Sequence, residues 1–156
     1  MTNPTIEALV PTWTEQYCEA LTQNYFDYHV NMLTDNSRRF STPNDSVLGE
    51  RPDLSAYAKE QLANIENGTA KLMKFRAISG KKYYKVVQQE YDENRGEYRD
   101  QSVNSFVDKK TGEIYKAASW KAPAKGVRFD MRIINERKAM HNPNCVDWAS
   151  GHLYIR

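Results

Sequence analysis

KLMKFRAISGKKYYKVVQQEYDENRGEYRDQSVNSFVDKKTGEIYKAASW, residues 71–120, decides the fold. Short runs rich in aromatic and β-branched residues, 71–78, 83–91, 101–108 and 113–120, are separated by Ser79-Gly80, by Asp92 to Gly96 and by Lys109 to Gly112. Each break carries a glycine in or beside a polar turn, where a hairpin backbone needs positive φ. The spacing predicts an antiparallel meander. VRFDMRI (127–133) alternates, with Val127, Phe129, Met131 and Ile133 on one face, and predicts a further strand; the closing HLYIR predicts an edge. Tyr83, Tyr84, Val86 and Val87 put apolar groups on both faces of the second run, so the sheet is expected to be covered, or to self-associate, on its second side.

Upstream the period changes from two to three and four. Thr12 and Glu15 have the spacing of a capping box, and Trp13, Tyr17, Leu21, Tyr25, Tyr28 and Met32 form one stripe of a helix over 13–33. A second helix is predicted over 54–67, with Asp53 as cap, Leu54, Ala58, Leu62 and Ile65 as its apolar face and Gly68 as its stop. The polar stretch Thr34 to Pro52 reads as a loop. The expected class is α+β: two N-terminal helices packed on an antiparallel β-meander of about four to five strands. One domain is expected over 1–156, as a helical region at about 12–68, the meander at about 71–133 and a C-terminal segment at 134–156.

Composition narrows the function classes. The chain is 40% apolar and 27% charged with 10 Tyr and 3 Trp, the make-up of a folded globular protein. No run reaches the ~20 apolar residues of a membrane span, and MTNPTIEALVPTW lacks the basic start and apolar core of a signal peptide, so no membrane partner and a cytoplasmic site are expected. Two cysteines, Cys18 and Cys145, are too few for a disulfide framework and are expected to stay unbridged. Net charge is +2, divided as −6 over residues 1–66 and +8 over 67–156. Three readings fit that asymmetry: a molecule with two oppositely charged faces, end-to-end association into a homo-oligomer, or acids simply gathered on helices.

No catalytic motif is present. Ser79-Gly80-Lys81-Lys82 resembles the end of a phosphate loop, but Phe75 replaces its first glycine and Lys82 its hydroxyl residue. His141, Cys145, Asp147 and His152 lack the paired spacing of a zinc site. No catalytic residue, metal or cofactor is therefore assigned, and a binding role is expected over an enzymatic one. Residues 109–138 hold nine bases against three acids, interleaved with Tyr115, Trp120 and Phe129. Bases of this kind neutralise phosphates while rings stack on nucleobases, which makes Lys109, Lys110, Lys116, Trp120, Lys121, Lys125, Arg128 and Arg132 a candidate surface for single-stranded nucleic acid. The same lysines would also mark the solvated face of a hairpin.

SVNSFVDKKTGEIYKAASWKAPAKGVRFDMR (102–132) resembles a block in small proteins of tailed bacteriophages, including those of marine cyanobacteria. The likeness rests on FVDKKTGEIYK and ASWKAPAKGVRFD. It implies a phage origin and a site in the cytoplasm of an infected host cell, and carries over no functional residue. With the basic segment 109–138, the expected reading is a phage accessory protein that binds nucleic acid or another phage protein. The alternative is a structural phage protein whose acidic helical half meets the basic sheet half of a second copy.

Overall fold

The computed structural model describes residues 4–34 and 56–154. The chain is α+β, with helices α1 (Ile6–Thr34), α2 (Ala56–Glu66) and α3 (Ile134–Met140) and strands β1 (Lys74–Ser79), β2 (Tyr83–Asp92), β3 (Glu97–Asp108), β4 (Glu113–Lys116) and β5 (Phe129–Asp130). The strands form one antiparallel sheet in the order β1-β2-β3-β4-β5, the expected meander. Within the described residues the chain falls into two compact units, one of Met1–Tyr25 with Leu72–Arg156 and one of Phe26–Lys71.

The helical part corrects the expectation of two helices, since α3 makes a third among the described residues. The first helix also starts earlier than its apparent capping box. Thr5 is the cap: its side-chain oxygen accepts the amide of Ala8 at 3.2 Å, and its carbonyl accepts those of Ala8 and Leu9. Thr12 lies inside the helix, directly after an interior Pro11. The physical reason is Val10, which is fully buried only because the helix extends more than a turn upstream of Trp13. At the far end of α2, the amides of Gly68 and Thr69 fold back on the carbonyls of Ile65 and Asn64, closing the helix where the sequence put its stop. Of the loop expected from Thr34 to Pro52, Thr34 is instead the last residue of α1, and the rest, with Asp53 and Leu54, lies outside the described residues.

In the larger unit, Val10, Trp13, Tyr17 and Leu21 of α1 share a core with Phe75, Val86, Val107 and Ile114 of the sheet and with Met131, Met140, Val146 and Leu153. Trp13, Tyr17 and Leu21 thus bury the expected stripe, while Tyr28 and Met32 are exposed. Two hairpins close on one design. In Asp92-Glu-Asn-Arg-Gly96 and Asp108-Lys-Lys-Thr-Gly112 the aspartate carbonyl accepts the glycine amide, at 2.8 and 2.9 Å, and its carboxylate accepts the amides two and three residues on. Both glycines have positive φ, which residues with a side chain rarely adopt; at Gly112 a Cβ would only touch Met131 and Trp13 at ordinary contact distance. Because the first of these turns is so tight, pairing resumes at Glu97 rather than at 101.

β5 is shorter than the alternation over 127–133 predicts. Arg132 grips Asp130, Glu136 accepts the Asp130 amide, and the chain turns into α3 instead of extending; Val127 and Ile133 are left 40% and 49% exposed. The C-terminal segment makes a 3-10 turn at Gly151–Leu153 where an edge strand was expected.

Leu21→Ala should lower the unfolding free energy by about 2–5 kcal/mol, whereas Met32→Ala, at an exposed position, should stay within about 0.5 kcal/mol. Urea denaturation of the two variants checks the pair. Equal effects would mean that the stripe is not buried as described.

Candidate functional site

The sheet face opposite α1 is built by alternation and register. Lys85 pairs with Phe106 across β2 and β3, and Phe106 with Tyr115 across β3 and β4, so these side chains share a face that Val86, Val107 and Ile114 do not. Tyr83 meets both Phe106 and Tyr115 edge-on, with ring centroids 5.8 Å apart in each case. Edge-to-face packing sets the positive rim of one ring against the negative face of the next. The Lys85 ammonium stands 6.0 Å from the Phe106 ring and 4.5 Å from that of Trp120.

Trp120 is brought there by a tight loop after β4. Ala117 bridges Pro123, the amides of Ala118 and Ser119 bond the Ala122 carbonyl, and the Ser119 hydroxyl accepts the amides of Lys121 and Ala122. At its tip Trp120 is 44% exposed. Beside it lies a groove of about 340 Å³ lined by Ser102, Val103, Ala117, Ala118, Ser119 and Trp120, none of the described residues in its wall being charged.

The residues singled out from the sequence part company. Lys109 donates to the Ser79 hydroxyl at 2.6 Å and lies over Tyr84, while Lys110 is exposed in the β3–β4 turn. Lys116 sits over the Tyr154 ring, and Lys121 and Lys125 are exposed. Arg128 is a latch: its guanidinium donates to the carbonyls of Leu153, Lys125 and Gly126 at 2.7–2.8 Å. Arg132 is tied to Asp130 at 2.7 Å and to Glu113 at 3.9 Å, and it holds the Asp130 carboxyl below its ordinary range. Of the eight, Trp120 alone contacts the cluster formed with Lys85 and Phe106. The sequence reading did not place Tyr83, Lys85 and Phe106 in a site; Tyr83 had a signal in the two-sided apolar pattern of the second strand, while Lys85 and Phe106 join it only through the strand register.

A second polar cluster is largely buried, with His152 half-buried at its edge. Tyr17 and Ser105 are fully buried and Asn104 nearly so. His152 Nδ1 accepts the Asp147 amide at 3.1 Å, so in the neutral ring the proton sits on Nε2 and is donated to the Tyr17 oxygen at 2.8 Å. Ser105 donates to the same oxygen at 3.3 Å, and the Tyr17 hydroxyl donates onward to Asn104 at 3.5 Å. Burial drives the His152 pKa down to about 4 against the opposing pull of Asp147, and raises that of Tyr17. The cluster joins the helix to the sheet and to the C-terminal segment. His141 is likewise engaged, its Nε2 bonded to the Trp13 carbonyl at 2.9 Å.

Cys18 is buried, with its thiol pushed up to about 12, and Cys145 is exposed; both are free. Among the described residues, no group of three or more His, Cys, Asp or Glu could hold a metal ion, and no helix is long and apolar enough to cross a membrane.

Fold and surface together define an α+β protein whose sheet is packed by a helix on one face and carries rings and an ammonium group on the other. The chain belongs to a family of unknown function (DUF7717), whose model matches residues 1–155. No curated protein and no solved structure matches it.

The His152 shift fixes a pH dependence. With a folded pKa near 4 and an ordinary value near 6.5, the neutral ring stabilises the fold above about pH 6.5, and that contribution declines as the pH falls toward 4. It amounts to on the order of 3 kcal/mol. In chemical denaturation at pH 7 and pH 4.5, His152→Gln should lose less stability on acidification than the parent; equal losses would refute the assignment.

Proposed function

We propose that this chain acts by binding, and that its ligand is single-stranded nucleic acid taken on the sheet face that carries Tyr83, Lys85, Phe106, Tyr115 and Trp120. The observation that carries the reading is the Lys85 ammonium 4.5 Å from a Trp120 ring that is itself 44% exposed beside a neutral groove. A nucleobase seated in that groove reaches the indole edge or face, and each stack of this kind is worth about 1–3 kcal/mol. Lys85, with the exposed Lys121 and Lys125 of the same loop region, supplies charge for the flanking phosphates. Binding here needs no base-specific donor, so the expected preference is for unpaired strands of any sequence. The resemblance of 102–132 to tailed-phage proteins supports a site of action in the cytoplasm of an infected bacterium.

Titration with an unpaired oligothymidine at low salt tests the reading through tryptophan fluorescence, because Trp120 is the exposed indole while Trp13 is buried and Trp148 half-buried. Quenching should be saturable and should weaken with salt at a slope of about 0.7 per phosphate contact. Trp120→Ala should weaken binding about 5- to 150-fold. Lys121→Glu with Lys125→Glu should abolish it while altering stability by no more than about 1 kcal/mol. Absence of binding at low salt, or binding indifferent to Trp120, would overturn the proposal.

A further inference from the structure

The hairpin ends at one edge of the larger unit carry a second basic feature, which borders the aromatic face where the Lys82 ammonium lies 5.3 Å over the Tyr83 ring. The β1–β2 turn contributes Lys81 and Lys82, the β3–β4 turn contributes Lys109 and Lys110, and all four line one cavity of about 270 Å³ together with Glu7 and Asp108. The two turns are joined through the Lys109 amide, which donates to the Lys82 carbonyl at 3.0 Å, and through the Lys109 ammonium on Ser79. Among the described lining residues, four lysines stand against two acids, a formal balance of +2. Asp108 is further committed, because its carboxylate already accepts the amides of Lys110 and Thr111. Among the described residues no carboxylate is paired with Lys81, Lys82 or Lys110.

The geometry points to this cavity as a binding site for a phosphate-class anion, held by the ammonium groups of Lys81, Lys82, Lys109 and Lys110. The charge matches: a phosphate monoester carries about −1.5 to −2 at neutral pH. The size matches as well, because the space falls below the roughly 300–1,000 Å³ of sites that enclose a whole drug-sized ligand. The cavity takes the phosphate groups and leaves the rest of any larger ligand outside. Recognition is by side chains, since the turn amides of Gly80, Lys109, Lys110, Thr111 and Gly112 are already bonded within the chain. Lysines act as rotatable point charges rather than as a rigid fork, so the site selects for charge density over the shape of one oxyanion.

Calorimetric titration of the full chain with inorganic pyrophosphate tests this. One saturable site is expected, weakened at least about tenfold in Lys82→Glu with Lys110→Glu, largely kept when the same lysines become arginine, and untouched by Trp120→Ala. Should the charge reversals fail to fold, Lys82→Gln with Lys110→Gln removes the charges and should show the same loss. A nucleoside diphosphate should bind no more than a few-fold more tightly than pyrophosphate, since only its phosphates are enclosed. A nucleoside diphosphate that binds where pyrophosphate does not, an acidic peptide that binds more tightly than either, or pyrophosphate affinity indifferent to the lysine changes would each overturn the assignment.

Discussion

The fold depends on satisfying one buried hydroxyl. Tyr17 puts a large ring into the core, where its area stabilises the packing of α1 on the sheet, but its oxygen enters with it and is fully cut off from water. An unpaired buried hydroxyl costs roughly 1–3 kcal/mol. Ser105 and Asn104 of β3 both reach Tyr17, although consecutive residues of a regular strand point to opposite faces. The register explains how. Val86 pairs with Ser105 and Val87 with Val103, so Asn104 is an extra residue bulged out of the ladder and turned toward the helix. Its amide nitrogen then donates to the Trp148 carbonyl at 3.1 Å, and the C-terminal segment is drawn into the same network.

That segment has little regular structure and is held by side chains of α1 instead. Asn24 donates to the Pro143 carbonyl and accepts the Trp148 amide, both at 2.9 Å, while Tyr25 packs edge-on against the Trp148 ring at 5.1 Å. His141 and His152 add contacts to Trp13 and Tyr17. The helix therefore packs apolar residues against both the sheet and the tail and makes polar bonds to both. Gly151 belongs to this arrangement, since any Cβ there would collide with the Asp147 carboxylate.

Features fixed by neighbours in sequence were legible; those fixed by neighbours in space were not. The stripe of Trp13, Tyr17 and Leu21 and the two D-x-x-x-G turns are local signals, and the meander followed from them. The start of α1 was misread because the local signal at Thr12 and Glu15 loses to the burial of Val10, a tertiary effect. Likewise β5 ends early because Asp130 is claimed by Arg132 and Glu136 lies within reach of its amide. Charge could be counted from the sequence over 109–138, but not the difference between Arg128, which latches carbonyls, and Lys121, which meets solvent. The lysine cavity joins two turns some thirty residues apart, and only the register of β2 with β3 brings them together.

The division of labour among the cations shapes what the surface can recognise. Arg76 is bound to Asp100, Arg95 to Asp92 and Arg132 to Asp130; Arg128 latches three carbonyls, and Arg137 bonds the Met131 carbonyl while lying 4.6 Å over Trp13. A planar guanidinium suits such work, because its fixed donors match carboxylate and carbonyl pairs and its face stacks on indole. Arg76, Arg95 and Arg132 make their ion pairs at the surface, and the exposed cations that form no ion pair among the described residues include Lys81, Lys82, Lys110, Lys121 and Lys125. An ammonium reads charge and distance but little of the planar geometry that distinguishes one oxyanion or base edge from another. Any selectivity of the two proposed sites would then have to come from the shape around the charge: the groove beside Trp120 for one, and the space between two hairpin turns for the other.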